Sequence, residues 1–401
     1  MFDVRATRDL DEFGRALYGI GQYFGGRATE EQLDRFTQVL PLDRMHAAFD
    51  GDEIVGGAGA FPFGLSVPGG ELGCGGVTVV GVYPTHRRRG ALRAMMDAQL
   101  RDIHERGEPL AALWASEETI YGRYGYGIAA LAGDIVLPRE WATFAEPFER
   151  RGRTRFVEPE EAASLFPRVW DELMRQRPGV FRRSEPWWRL RSTRIPDEEK
   201  GNPSRFVVLE RDGEVQAYAI FKPEMKFGRG VPNSTLTVRE AIGVTPQATA
   251  EIWRFLLDID WQATIKASLL PPDHPLFLLL ANPRRTDYRL ADGLWVRLVD
   301  VGAALAGRSY AVDNSVVFDV RDAACPWNEA RWRVSAEGAV RTDEDAEIAL
   351  DVAALGSAYL GAISFAQLRA ALRLEELTQG AVERADALFA WRPLPWCPEI
   401  F

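Results

Sequence analysis

Cysteine and histidine are scarce in this 401-residue chain. Cys74, Cys325 and Cys397 are too few and too scattered for a disulfide framework, and His46, His86, His104 and His274 form no ligand-spaced cluster with them, so no metal site is expected. Long apolar runs are also missing. No run is longer than that of Leu276 to Ala281, far too short to span a bilayer, and the charged stretch Met1 to Arg15 has no apolar signal core; a cytoplasmic protein without a membrane partner is expected. Nor is there an excess of positive charge. Against 58 acidic side chains stand 48 basic ones, a net charge of −10, which argues against nucleic acid as a partner and is compatible with a cationic substrate. What remains is an ordinary globular composition, 46% apolar and 26% charged, with Trp unusually frequent at 12 copies.

The most informative segment runs from Val80 to Arg93, V-G-V-Y-P-T-H-R-R-R-G-A-L-R. A short strand, Val77 to Val82, passes through the Pro84-Thr85 turn into an arginine-glycine corner and then into an apolar-periodic helix expected from Arg88 to Arg106. Such a corner suits phosphate. Unpaired N–H groups in the first helical turn point along the axis, the helix dipole favours negative charge there, and Gly90 removes the side chain that would hold a ligand off the backbone. Arg87, Arg88, Arg89 and Arg93 add guanidinium forks. A P-loop reading fails for want of G-K-[ST].

Length suggests several domains. Helices are expected within residues 9 to 39, then a hairpin around Asp50-Gly51-Asp52, and then the strand, corner and helix just described. Strand Leu110 to Ala115 follows, delivering Ser116, Glu117 and the aromatic-glycine segment Tyr121 to Gly127. The pattern then echoes itself. Residues 206 to 221 repeat the hairpin with its Asp-Gly turn, and Gly243-Val244-Thr245-Pro246 with the helix from Thr249 repeats Gly81-Val82-Tyr83-Pro84 and its helix. The second copy has Gln247-Ala248-Thr249-Ala250 in place of the arginines and Gly90, so it is not expected to hold phosphate. From about Leu294 the pattern changes to a third, α+β unit, opening with a strand from Trp295 to Val299. It ends in a proline-rich aromatic tail, Trp391 to Phe401, expected to be extended and packed.

On these residues the first half resembles the GNAT superfamily of acetyl-CoA-dependent N-acetyltransferases. The superfamily's Q/R-x-x-G-x-G/A motif appears as Arg87-x-x-Gly90-x-Leu92, with the last small residue absent. The whole chain is similar to one branch, the enhanced intracellular survival (Eis) family, at Val80 to Arg93, at Ala115 to Gly127 and at the terminal Phe401; that branch shares the Leu92 departure. The resemblance implies an α+β fold of two tandem GNAT-like mixed-sheet domains, the second degenerate, and a C-terminal sterol-carrier-like domain, with divisions at 1–140, 141–290 and 291–401. It implies acetyl-CoA as co-substrate, held by Val80, Gly81 and Val82, by the corner Arg88, Arg89, Gly90, Ala91, Leu92 and Arg93, and by Ser116 and Glu117. It further implies a small-molecule amine as acceptor (an aminoglycoside or a lysine-like amine), a homohexamer, Tyr121 as general acid and the carboxylate of Phe401 as general base.

The chemistry is consistent with those roles. A phenol of ordinary pKa about 10 is protonated at neutral pH and can donate to a leaving thiolate, whereas a terminal carboxylate of ordinary pKa about 3.3 to 3.7 is a weak base unless burial or a bridging water assists it. Tyr124 and Tyr126 share the loop and compete with Tyr121 for the role. Glu399, so near the end, is read as solvated. The alternative function is a catalytically inactive binding or regulatory protein of the same fold, and the intact Tyr121, Gly90 and Phe401 weigh against it.

Overall fold

The computed structural model describes residues 2–196, 201–228 and 230–401. By contacts the chain forms two compact units, one of Met1–Ala130 with Leu294–Arg392 and Ile400–Phe401, the other of Leu131–Gly293 with Pro393–Glu399.

In the first unit, β1 (Asp3–Ala6), β2 (Met45–Asp50), β3 (Glu53–Val67), β4 (Gly70–Val82) and β5 (Leu110–Trp114) lie side by side in that order. All the pairings are antiparallel except β4 with β5. A parallel pair needs a crossover. Here it is α3 (Ala91–Glu105), which buries Ala91, Met95, Met96, Leu100 and Ile103 against the sheet. Two helices precede it. In α1 (Leu10–Phe24) the Asp9 side chain caps the start by accepting the Glu12 N–H at 2.8 Å, and Gly25, with φ of 119°, ends it. In α2 (Glu30–Thr37) Thr29 and Gln32 form a reciprocal capping box. Both tie down the helical stretch expected between residues 9 and 39.

The packing of α1 explains several glycines. A Cβ on Gly81 would lie 2.4 Å from the Ile20 nitrogen, and one on Gly57 would lie 2.5 Å from the Ala16 carbonyl oxygen. The helix therefore rests backbone to backbone on the sheet, which only glycine permits.

Two segments join sheets that the sequence did not indicate. Strand Leu294–Leu298, expected to open the third domain, pairs antiparallel with β5 from Leu294↔Trp114 to Leu298↔Leu110 and, with the short edge strand Gly127–Ile128 on its far side, belongs to the first sheet. It gives the buried run Leu110–Trp114 a second neighbour and is itself buried along its length. Strand Leu131–Pro138, expected with the first domain, lies in the second unit's sheet. The rest of the first unit is a five-stranded sheet with helices that include Val352–Tyr359 and Ala381–Phe389. Arg297, with a side chain 0% exposed, ties this region to the first sheet through a two-pronged ion pair with Asp322 at 2.8 and 2.7 Å.

The second unit repeats the plan of β2 to β5. Its hairpin Arg205–Arg211 and Glu214–Glu224 turns at Asp212-Gly213, strand Ser234–Gly243 follows, and helix Pro246–Leu257 crosses to the parallel strand Gln262–Leu270. The echo read in the sequence is thus a structural repeat. Among the described residues no helix is long and apolar enough to cross a membrane.

Candidate functional site

The site begins with a defect in β4. Gly81 pairs with Gly57 and Thr78 with Gly59, so Val79 and Val80 together face one residue of β3, a β-bulge. Val79 takes φ of 48°, a left-handed conformation that is costly for a β-branched side chain, on the order of 1–3 kcal/mol, and such strain gathers at functional sites. On its other edge β4 pairs with β5 only from Cys74↔Leu110 to Gly76↔Ala112. Beyond Gly76 the two parallel strands part, leaving Val77 to Val82 with no ladder partner on β5. Main-chain groups at a strand edge of this kind are available to a ligand.

The corner lies just past this edge. A single 3₁₀ turn, Pro84–His86, follows β4; Arg88 has φ of 60° and Gly90 φ of 96°, so the helix expected from Arg88 starts at Ala91. Gly90 occupies the cap position with open space around it, and no side chain caps α3. The N–H groups of Ala91, Leu92 and Arg93, which have no partner within a helix, are thereby left for a ligand or water. The arginines divide their duties. Arg89 is bound to Asp50 at 2.9 Å, and Arg87 lies over the Tyr23 ring at 5.9 Å. Arg88 and Arg93 are exposed and carry no ion pair among the described residues. They are the guanidinium forks the geometry leaves open, whereas the Arg89 fork is already committed.

Bulge, splay and corner open onto one cleft of about 280 Å³, lined by Val80, Gly81, Val82, Arg87 and Leu92, by Ser116, Glu117, Ile120 and Tyr121, and by Ile20, Tyr23 and Phe24. The last three come from the end of α1, a stretch the sequence marked only as helical. The signal available was the aromatic pair Tyr23-Phe24 before Gly25-Gly26. Tyr23 also fixes the cleft wall, its hydroxyl donating to the Val82 carbonyl at 3.0 Å.

Tyr121 ends the single-turn helix Glu118–Tyr121. Of the three tyrosines in its loop it alone lines the cleft; Tyr124 and Tyr126 are buried in the α3-side core. Burial, and then the charge of Glu117 and the nearby Tyr124, push its phenol above the ordinary value of 10. It is a proton donor at neutral pH. Phe401 is outside the cleft lining: the residue is 9% exposed and its ring packs edge-on against Phe63 of β3 at 5.0 Å. The tail before it is packed as expected, with Trp396 and Cys397 buried. Glu399 is not solvated. It accepts from Arg183 at 2.7 Å and from the Trp187 ring nitrogen at 3.0 Å.

The second repeat closes what the first leaves open. Thr245 caps helix Pro246–Leu257 by accepting the Ala248 N–H at 3.1 Å, and a Cβ on Gly243 would meet the Thr249 nitrogen at 2.4 Å. One N–H at this helix start is thus taken by its own chain, and Thr245, Gln247 and Ala248 line a smaller cleft of about 190 Å³ that carries no arginine-glycine corner. Among the described residues no group of three or more His, Cys, Asp and Glu could hold a metal ion.

Comparison with known proteins agrees with this architecture. Residues 6–129 match an acetyltransferase (GNAT) domain, residues 179–298 a second acetyltransferase (GNAT) domain, and residues 301–398 a sterol carrier protein domain. An uncharacterized N-acetyltransferase of Streptomyces avermitilis is 40% identical over 100% of this chain and 99% of its own length. The N-acetyltransferase Eis of Mycobacterium tuberculosis is 36% identical over 90% of each chain. Among solved structures, Eis1 from Mycobacterium abscessus matches with a TM-score of 0.88 and 32% identity over 100% of both chains. A GCN5-related N-acetyltransferase from Anabaena variabilis, 19% identical with a TM-score of 0.86 over the same 100% coverage, shares the fold. Identity of 36% to Eis over 90% of each chain makes this protein a member of the Eis family of GNAT N-acetyltransferases.

Proposed function

We propose that this enzyme moves an acetyl group from acetyl-CoA to primary amines of aminoglycosides or of lysine-like, polycationic acceptors, by direct attack of the amine on the thioester. The observation that carries the reading is the convergence on one cleft of the splayed β4 edge, the uncapped start of α3 and the protonated Tyr121. The residues fit the donor. Open N–H groups at Ala91 to Arg93, with the unpaired forks of Arg88 and Arg93, suit a pyrophosphate, and the side-chain-free Gly90 lets it approach the backbone.

Acetyl-CoA supplies the acetyl group as a thioester. The β4 edge from Val80 to Val82 offers main-chain donors toward the thioester oxygen, where charge develops as the nitrogen–carbon bond forms. The Tyr121 hydroxyl gives its proton to the sulfur as the carbon–sulfur bond breaks, and the carboxylate of Phe401 takes the proton leaving the amine. Once the ammonium has given up a proton to solvent and the amine is neutral, direct attack requires only these two proton movements. The net charge of −10 is compatible with a cationic acceptor. A homohexamer, implied by resemblance, is the proposed assembly, and sedimentation equilibrium tests it.

Thiol release from acetyl-CoA across a panel of aminoglycosides and diamines, with products weighed by mass spectrometry, tests the reaction. Acetylated amine in step with free thiol is expected, and no release with any amine would refute it. Tyr121→Phe should lower kcat by more than about tenfold at unchanged acetyl-CoA affinity; a smaller loss would assign the proton to another group.

A further inference from the structure

The turn that carries Tyr121 rests on an arginine from far along the chain. After Tyr121 the main chain doubles back: the Gly125 N–H donates to the Gly122 carbonyl at 3.1 Å and the Tyr126 N–H to the Tyr121 carbonyl at 3.3 Å. Tyr121 is thereby tied to Gly125 and Tyr126. Gly125 has φ of 83°, and a Cβ there would lie 2.7 Å from Nε and 2.9 Å from Cζ of Arg297. The guanidinium occupies the space a side chain would take, so glycine is required on two counts. Trp295 and Arg297 alternate onto one face of strand Leu294–Leu298, and Trp295 packs in the core that holds Tyr121, Tyr124 and Tyr126.

Arg297 is itself locked. Its Nη2 donates to both oxygens of Asp322, at 2.8 and 2.7 Å, and its Nη1 to the Leu298 carbonyl at 2.6 Å. Asp322 is fixed in turn, accepting the Cys325 N–H at 3.1 Å and the Asn328 side-chain amide at 2.8 Å. All of these residues belong to the first unit. Holding the strand does not by itself call for an arginine: Leu294–Leu298 has ladder partners on both edges, and apolar side chains of like volume commonly match a buried ion pair in stability. What they would not supply is a planar group fixed by hydrogen bonds, and its place is beneath Gly125.

We propose that Arg297, held by Asp322, positions Tyr121 for proton transfer, which gives the sterol-carrier-like region that supplies Asp322 a part in catalysis by the first GNAT domain. The proposal rests on the reading of Tyr121 as general acid. Neither Arg297 nor Asp322 lines the cleft, so both are positioning residues that act through the turn from Tyr121 to Tyr126. The Tyr121 hydroxyl must meet the leaving sulfur within hydrogen-bond reach, and a displacement of about 1 Å in such a site lowers rate by up to about 10²-fold. In Arg297→Lys the side chain ends at about the place of Cζ, one atom short of Asp322, and closes that gap only by drawing away from Gly125.

The test uses the full chain with acetyl-CoA and a competent amine, beside a urea melt of each variant. Arg297→Lys keeps the buried charges balanced and should lose about tenfold in kcat with the KM for acetyl-CoA unchanged. Arg297→Met combined with Asp322→Leu removes both charges, fills the space with apolar side chains and should lose as much; it replaces the lysine variant if that one melts early. Either change made in Tyr121→Phe should cause less than about a twofold further loss, because the group being positioned is gone. Mere loss of folded enzyme would lower kcat by the same factor in both backgrounds. Wild-type kcat in either folded variant, or an equal fold-loss with and without the Tyr121 hydroxyl, would overturn the proposal. Wild-type kcat in Tyr121→Phe alone would instead refute Tyr121 as acid, and the role of Arg297 with it.

Discussion

Replacing Gly81 by alanine tests whether the contact between α1 and β4 shapes the cleft. The added Cβ would lie 2.4 Å from the Ile20 nitrogen, 2.5 Å from the Gly19 carbonyl carbon and 2.7 Å from the Ile20 Cα, all main-chain atoms that no rotamer change can move. Ordinary contact begins near 3.4 Å, so α1 or the bulged strand must shift by about 1 Å. Forcing an extra carbon into a packed interior of this kind costs about 1–3 kcal/mol. The functional cost is the larger one. Ile20, Tyr23 and Phe24 of α1 face Val80 and Val82 across the cleft, and the Tyr23 hydroxyl is bonded to the Val82 carbonyl. A displacement of about 1 Å in such a site lowers rate by up to about 10²-fold. Steady-state kcat/KM for acetyl-CoA, read beside a urea melt, measures both effects. Gly122→Ala is the control: Gly122 has φ of −56° and no atom within 4 Å of its would-be Cβ, so that variant should match wild type. Wild-type stability and kinetics in Gly81→Ala would refute the argument, and so would equal damage in Gly122→Ala.

Asp322→Ala leaves the Arg297 side chain, 0% exposed, without its counter-charge and should cost about 3–5 kcal/mol in a denaturant melt; a loss under about 1 kcal/mol would show that the pair is not holding the strand Leu294–Leu298 in place. Thr245→Ala removes the cap from the second repeat's helix and should cost about 1 kcal/mol while the KM for acetyl-CoA stays the same; a changed KM would bring that helix into the donor site. Tyr121 acts in its protonated form, so activity is lost as pH rises through its pKa, and because burial and Glu117 raise that pKa, the alkaline limb of kcat should lie above pH 10. Glu117→Gln removes the negative charge and should move the limb to lower pH; an upward shift would contradict the assignment.

Much of the first cleft was legible because its signals are local. The Pro84 turn, Gly90 and the apolar face of α3 are neighbours in sequence, and the Asp-Gly turn and proline turn of the second repeat could be matched to them by eye. The start of α3 was misplaced by three residues because Arg88 is a good helix former by type, and only tertiary structure puts it at φ of 60°. The bulge at Val79 was invisible, since valine is what a regular strand would carry. Strand Leu294–Leu298 was recognised but its sheet was not. Its residues say strand, while the choice of partner rests on the buried edge of β5, far away in the chain. Arg89 looks like its neighbours until Asp50 is found beside it, and Glu399 looks like any acidic residue near an end until Arg183 comes into view. Both are pairings across long stretches of chain, which a spacing pattern does not encode.

Amide hydrogen exchange with and without acetyl-CoA tests the central claim, that one cleft in the first unit receives the donor. Exchange should slow at Val80 to Val82 and at Ala91 to Arg93 and stay unchanged between residues 244 and 251, because Thr245 already caps that helix. Protection at 244 to 251, or none at 80 to 93, would contradict it.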